Sequence, residues 1–280
     1  MDAKIAIIGY GSMGRMIFEK LLASSLVEPE NIYLANRTFE KISALKEECG
    51  VNVCKTNKEA ASNADIIFVC LRPGDIKSVL EEIQPFSADS HIISLNGSIQ
   101  FSQLEKVLGQ IKISKVIPSV TAEVNESQTL VCHNECVSEK DKIVLERILH
   151  TLGNVIELPE NEMGMGSELV SCMPGFIAAL FNELKKAARP HTKISEEKII
   201  EMLANTMVGT GRLIAERNMS FADVIERVAT KGGITQEGTK VIEEKFPPVA
   251  AEIFEKTLAK RKVTTEKAIE LFSREGCISD

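Results

Sequence analysis

The stretch "IAIIGYGSMGRMIF", Ile5 to Phe18, constrains this chain more than any other. Four apolar residues run into Gly9, Tyr10, Gly11, Ser12, Met13 and Gly14, and a helical pattern follows. Gly-x-Gly-x-x-Gly between a strand and a helix is a dinucleotide-binding fingerprint. Gly9 permits the tight turn, Gly11 lets the backbone approach a pyrophosphate, and Gly14 allows the helix to pack closely on the strand. The helix start, at Ser12 and Met13, offers free N–H groups to phosphate.

The pattern continues. "KIAIIG", "NIYLAN", "VNVCKT", "ADIIFVCL", "HIISLN", "SKVIPS", "QTLVC" and "VIELP" read as short buried strands. Helical patterns such as "GRMIFEKLLASSL", "FEKISALKEEC", "DIKSVLEEI" and "SEKDKIVLERILHTLGN" lie between them. This alternation predicts a parallel sheet covered on both faces. After Pro159 the regime changes to helices only, with separate segments "TQEGTKVIEEK", "PPVAAEIFEKTLAKRK" and "TTEKAIELFSRE" near the end. The predicted fold is α/β: a Rossmann NAD(P)-binding domain over 1–160, then an all-helical domain over 161–280 whose apolar helices, rich in small residues, are expected to pack against a second subunit, a monomeric helical cap being the alternative.

Composition narrows the partners. A net charge of -7 argues against nucleic acid. No run of about 18 apolar residues is visible, so no membrane span is expected. No signal peptide is evident at the N-terminus, and seven cysteines in a chain of 280 residues suit a reducing cytoplasm. The absence of Trp leaves little for an aromatic sugar or base platform.

The residues after the second strand speak to the cofactor. Asn36, Arg37 and Thr38 stand where an NAD site usually carries a carboxylate for the ribose hydroxyl. Arg37 can pair with a 2′-phosphate, and Asn36 and Thr38 can donate to it, so NADP is preferred and NAD is possible. Arg37 stacked on adenine or lying in solvent is the alternative. Leu71, Arg72 and Pro73, then Asn96 and Gly97, then Pro118, Ser119 and Thr121 follow later strands. They are expected on the nicotinamide side, because ligands of such sheets bind beyond the carboxyl ends of the strands.

The order of motifs resembles the pyrroline-5-carboxylate reductase family over nearly the whole chain. "IGYGSMG", "NRT", "LRPGDI", "IISLNGSIQFSQLEKVLG", "VIPSVTAEVNES" and "TKGGITQEG" are similar to that family's successive segments. The resemblance implies NADPH-dependent reduction of the cyclic imine 1-pyrroline-5-carboxylate to proline, in proline biosynthesis, with no metal. It also implies a helical half that interlocks with a second subunit, as a homodimer or a ring of dimers. On the same basis Gly232, Gly233 and Ile234 supply backbone N–H groups to the substrate carboxylate. Thr230 adds a hydroxyl, and the Thr235 hydroxyl faces the ring nitrogen. An ordinary helix N-cap is the other reading of Thr235.

The chain departs from the family at Cys172 and Met173, at Lys231 and Ile234, and at Asn96, Gly97 and Ser98. These changes resemble the late-competence paralogues of some Gram-positive bacteria. A regulatory nucleotide-binding protein, or a reductase of another small imine, is therefore the alternative function. Cys132, His133 and Cys136 lack the second matched pair that a zinc site would need. The four histidines are dispersed along the sequence.

Overall fold

The computed structural model describes residues 1–273. Eight strands form one sheet: β1 (Ile5–Ile8), β2 (Ile32–Ala35), β3 (Asn52–Cys54), β4 (Ile66–Val69), β5 (His91–Ser94), β6 (Ile113–Ile117), β7 (Ser127–His133) and β8 (Gly153–Glu157). Their order is β3-β2-β1-β4-β5-β6-β7-β8. The strand order reverses between β1 and β4, the switch point where such sheets bind nucleotides. The apolar runs of β1, β4 and β5 are buried throughout, as strands covered on both faces must be.

The all-parallel expectation needs one correction: β7 runs antiparallel to β6. Only residues 118–126 join the two strands. A parallel crossover requires a dozen residues or more. The link closes as a tight 3₁₀ turn at Val120–Val124, ended by Asn125 in the left-handed region at φ 61. β8 then pairs with β7 in parallel across a helical crossover.

One face of the sheet is covered by α1 (Ser12–Ser24) and α6 (Glu139–Leu149), through Ile17, Phe18, Leu21, Leu145 and Leu149. Three helices cover the other face: α3 (Asn57–Ala61), α4 (Pro73–Ile83) and α5 (Phe101–Leu108). The long helix expected over "FEKISALKEEC" is only a 3₁₀ turn and a short helix, α2 (Leu45–Cys49). The buried Ile42 separates the two pieces, and Gly50 in the left-handed region ends the second. Lys115 of β6, 2% exposed, pairs with Glu160 at 2.8 Å, and the same Glu160 oxygen accepts from the Phe101 N–H. That carboxylate tethers the chain leaving the sheet to its edge.

Beyond the sheet come α7 (Met163–Ser167), a π turn at Glu168–Cys172, α8 (Met173–Ala188), α9 (Glu196–Arg217), α10 (Phe221–Val228) and α11 (Ile234–Ser273). The three separate segments expected at the end are one helix of 40 residues that runs through Pro247 and Pro248. Each proline removes one intrahelical N–H donor, yet the helical backbone continues on both sides. The chain forms two compact units. One comprises residues 1–172 with the stretch from Leu258 onward; the other is Met173–Thr257. Within the first unit Ala268 and Phe272 of α11 are buried in the core beneath α3, α4 and α5.

One helical run stands out by its hydropathy. The helical run Glu160–His191 is long and apolar enough, by length and composition, to cross a membrane. Glycine, serine and cysteine, and the carboxylate of Glu168, interrupt its apolar residues in sequence, so it escapes a search for an unbroken apolar run. Leu169, Leu180 and Leu184 on this run are exposed in the isolated chain.

Candidate cofactor turn and substrate loop

The glycine turn is built by close approaches. Gly9 has φ +99, and its N–H donates to the Ala35 carbonyl at 2.8 Å. A Cβ on Gly9 would lie 2.6 Å from the Cys70 carbonyl oxygen, and one on Gly14 only 1.9 Å from the Gly9 carbonyl oxygen. Both glycines are therefore demanded by the fold itself. Gly11 differs. A Cβ there would meet nothing within 4 Å, and the residue is exposed. The protein's own packing gives no reason for this glycine, whereas a phosphate lying against the backbone does.

Gly11 precedes α1 without any side-chain cap, and the first turn carries no acidic residue. The orphan N–H groups of that turn are thus left for an anion. Ser12 is exposed and Met13 half-buried at this end. The cradle a Cβ would fill and the uncapped helix start both fit a dinucleotide pyrophosphate.

At the end of β2, Asn36 brackets the loop. Its Oδ1 accepts from the Tyr10 N–H at 2.9 Å, and its Nδ2 donates to the Thr38 carbonyl at 2.8 Å. One amide hydrogen remains for a ligand. Arg37 and Thr38 are exposed. The Arg37 guanidinium lies 4.0 Å from Asp75 in the first turn of α4, an exposed pair of little strength. A cleft of about 960 Å³ opens beside the turn and is lined by Tyr10, Gly11, Ser12, Arg15 and Lys41 among others. Lys41 is a cation that sequence reasoning missed. Its position one turn beyond Arg37, just after a strand end, was the available signal.

The remaining cofactor candidates sit at the same edge of the sheet but do not line that cleft. Leu71 packs against Gly9, Arg72 is exposed, and Pro73 opens α4. The Asn96 Oδ1 accepts from the Ser98 N–H at 2.9 Å, which folds the loop after β5. Pro118 is buried just past β6. All of them follow the carboxyl ends of parallel strands.

In the second unit, the loop Thr230–Thr235 leads into α11. The Gly233 N–H donates to the Thr230 carbonyl at 2.8 Å, and Gly232 has φ +73. A Cβ on Gly233 would lie 2.9 Å from the Thr230 carbonyl oxygen as well as 2.6 Å from its hydroxyl, so the turn favours glycine. The Gln236 side chain reaches back to accept from the Gly232 N–H at 2.8 Å. Because α11 begins at Ile234, Thr235 lies inside the first turn and is not its N-cap. Its exposed hydroxyl has no partner among the described residues, and Ile234 is 95% exposed. Lys231 is also exposed. Cys172 is half-buried in the first unit; burial, then the neighbouring Glu168 carboxylate, raises its thiol pKa.

The histidines are less scattered in space than in sequence. His91 Nε2 lies 2.7 Å from the Ser114 hydroxyl, which lies 2.6 Å from His133 Nδ1. This chain crosses β5, β6 and β7 at the amino edge of the parallel strands, away from the glycine turn. Burial pushes the His91 pKa down to about 4 and lowers that of His133.

Together, the sheet order and the glycine turn define a Rossmann-type dinucleotide-binding protein with an added helical unit. Residues 4–97 match the family model described as NADP oxidoreductase, coenzyme F420-dependent, and residues 160–273 match that for pyrroline-5-carboxylate reductase dimerisation. The chain is 34% identical to pyrroline-5-carboxylate reductase 3 of Bacillus subtilis over 94% of its length and 97% of that protein. It is 29% identical to ComE operon protein 4 of the same organism over 91% of its length and 93% of that protein. A pyrroline-5-carboxylate reductase structure from Coxiella burnetii superposes with a TM-score of 0.84 at 28% identity, covering 97% of this chain and 99% of that one. The chain belongs to the pyrroline-5-carboxylate reductase family.

Proposed function

We propose that this protein reduces 1-pyrroline-5-carboxylate to L-proline with NADPH. The observation that carries the cofactor half is Gly11, a glycine with no internal reason, at an uncapped helix start. Arg37, Asn36 and Thr38 take the 2′-phosphate, with Lys41 as a second cation at the rim of the cleft. Residues 36–38 carry no carboxylate, and the exposed Asp75 of α4 pairs with Arg37 only at 4.0 Å. Leu71, Arg72, Pro73, Asn96 and Pro118 border the nicotinamide half.

The cofactor supplies a hydride to the carbon of a protonated C=N bond, which becomes the secondary amine. The protein's part is to hold the two carbons close and to fix the carboxylate. The Ile234 N–H and the Thr230 hydroxyl do the second, and the Gly232 and Gly233 N–H groups join them once the carboxylate displaces Gln236 Oε1 and the Thr230 carbonyl as their acceptors. The partner-free hydroxyl of Thr235 orients the ring nitrogen. The functional division is placed at residue 160, where the sheet ends, with cofactor binding before it and substrate binding and dimerisation after it.

The apolar face of Glu160–His191 is assigned to a second subunit rather than to lipid, because it opens the segment that matches the dimerisation family model. A homodimer, or a ring of dimers, in the cytoplasm and without nucleic acid is the assembly this implies.

Purified protein with NADPH and pyrroline-5-carboxylate should show loss of NADPH absorbance with proline formed in equal amount. NADPH binding without turnover on several cyclic imines would overturn the reductase reading. It would favour the non-catalytic role suggested by the similarity to ComE operon protein 4 and by Met173, Lys231 and Ile234 in the altered segments.

A further inference from the structure

Arg261 stands on the part of α11 that belongs to the sheet-containing unit. One edge of its guanidinium is fixed. Nε and Nη2 donate to Glu168 Oε1 at 3.0 and 2.7 Å, and Nη2 also donates to the Ser167 hydroxyl at 3.0 Å. Glu168 is 1% exposed, and its other oxygen is buried with no partner. One glycine makes room for the arginine, since a Cβ on Gly164 would lie 3.3 Å from Arg261 Cδ. Gly97 lies beside the other end of the side chain, where a Cβ would sit in ordinary contact 3.8 Å from Arg261 Nη1.

The other edge of the guanidinium is free. Nη1 makes no hydrogen bond to any described residue, and the side chain keeps 22% of its surface accessible. Gly97 follows β5 at the carboxyl edge of the sheet, on the half beyond the switch point where the reactive end of a dinucleotide lies. A guanidinium locked on one side and open on the other is preorganised to donate to a ligand oxygen. Its charge is matched by Glu168, so the contact is directional rather than a long-range attraction.

We propose that Arg261 is a further ligand-binding residue of this site, with Nη1 donating to an acceptor oxygen at the nicotinamide end. That oxygen is either a carboxylate oxygen of the substrate or the carboxamide oxygen of the nicotinamide. The assignment rests on the reductase reading above.

Two variants test it. Arg261→Lys keeps the ion pair with Glu168 but loses the planar fork. Arg261→Gln combined with Glu168→Gln removes both charges and leaves no buried carboxylate unpaired. NADPH affinity is read by fluorescence titration, KM for pyrroline-5-carboxylate at saturating NADPH, and folding by thermal denaturation. In both variants one constant should weaken tenfold or more while the protein stays folded. A raised KM with unchanged NADPH affinity identifies the substrate carboxylate; weakened NADPH affinity identifies the carboxamide. Folded variants with both constants within twofold of wild type would overturn the proposal. If the wild type binds NADPH but does not turn over, the reductase reading fails by itself. Arg261 is then judged by the NADPH titration and by calorimetric binding of L-proline to the NADP-loaded protein.

Discussion

Gly11→Ala separates ligand binding from folding more cleanly than any other change in this protein. The added methyl meets no atom within 4 Å, and the residue's φ of -85 and ψ of -167 suit any amino acid. Replacing glycine by alanine at a helix N-cap costs up to about 1 kcal/mol. The stiffer unfolded chain returns about 0.4–1 kcal/mol. The two nearly cancel, so thermal stability should stay within about 1 kcal/mol of wild type. Binding should respond differently. The methyl occupies the position where a phosphate would lie against the backbone, and charge-assisted hydrogen bonds of that kind contribute about 1.5–3 kcal/mol. NADPH affinity should fall about ten- to hundredfold. Gly14→Ala is the contrast, because its methyl would lie 1.9 Å from a backbone oxygen. Strain of that kind should lower stability by about 3 kcal/mol or more, whatever the ligand. Fluorescence titration with NADPH and urea denaturation of both variants provide the readout. A stable Gly11→Ala protein that binds NADPH as tightly as wild type would refute the placement of the pyrophosphate.

Other changes test the rest of the site. Arg37→Asp should weaken NADPH binding about ten- to hundredfold and NADH binding less than twofold; equal losses would remove Arg37 from the 2′-phosphate. Thr235→Val should lower kcat/KM about ten- to hundredfold. It should barely move thermal stability, since the hydroxyl has no partner in the fold; wild-type turnover would refute the orienting role. His91 predicts an acid limit. Its folded pKa of about 4, held down chiefly by burial with help from His133 and Lys112 and against Asp141, lies below the usual 6.5. Protonation therefore favours the unfolded chain. The stability of the neutral form is complete above pH 6.5 and is lost as pH falls from there toward 4. Between pH 7 and 5 that loss is about 2 kcal/mol. His91→Gln, which cannot titrate, should show a shallower loss in urea denaturation at fixed protein concentration, and an identical slope would count against it.

The fold was largely legible because buried parallel strands must be apolar without interruption. Each of the eight runs marked in the sequence carries a strand. The direction of β7 was not legible in its own residues, since "QTLVC" reads the same either way. Only the short link across 118–126 carries that information. Pro247 and Pro248 read as a break, and the continuity of α11 comes from helical residues on both sides that propensity alone could not join. Gly9, Gly11 and Gly14 share one motif, yet only the structure separates the two glycines required by packing from the one that packing does not require. The partners of Arg261 were hidden for a different reason. They are distant in sequence, and no local pattern brings Glu168, Gly97 and Arg261 together.

The burial of Ala268 and Phe272 beneath α3, α4 and α5 has a consequence for biosynthesis. The helices on that face are made early, but the residues that complete their core come from the last turns of α11. As the chain emerges from a ribosome, that patch stays uncovered until synthesis has passed Phe272. The nucleotide-binding half must therefore wait for distant residues to complete its packing, and contacts of such long range are slow to form. A chain stalled shortly before Ala268 would carry every residue of the glycine turn and still present an open, apolar flank to chaperones.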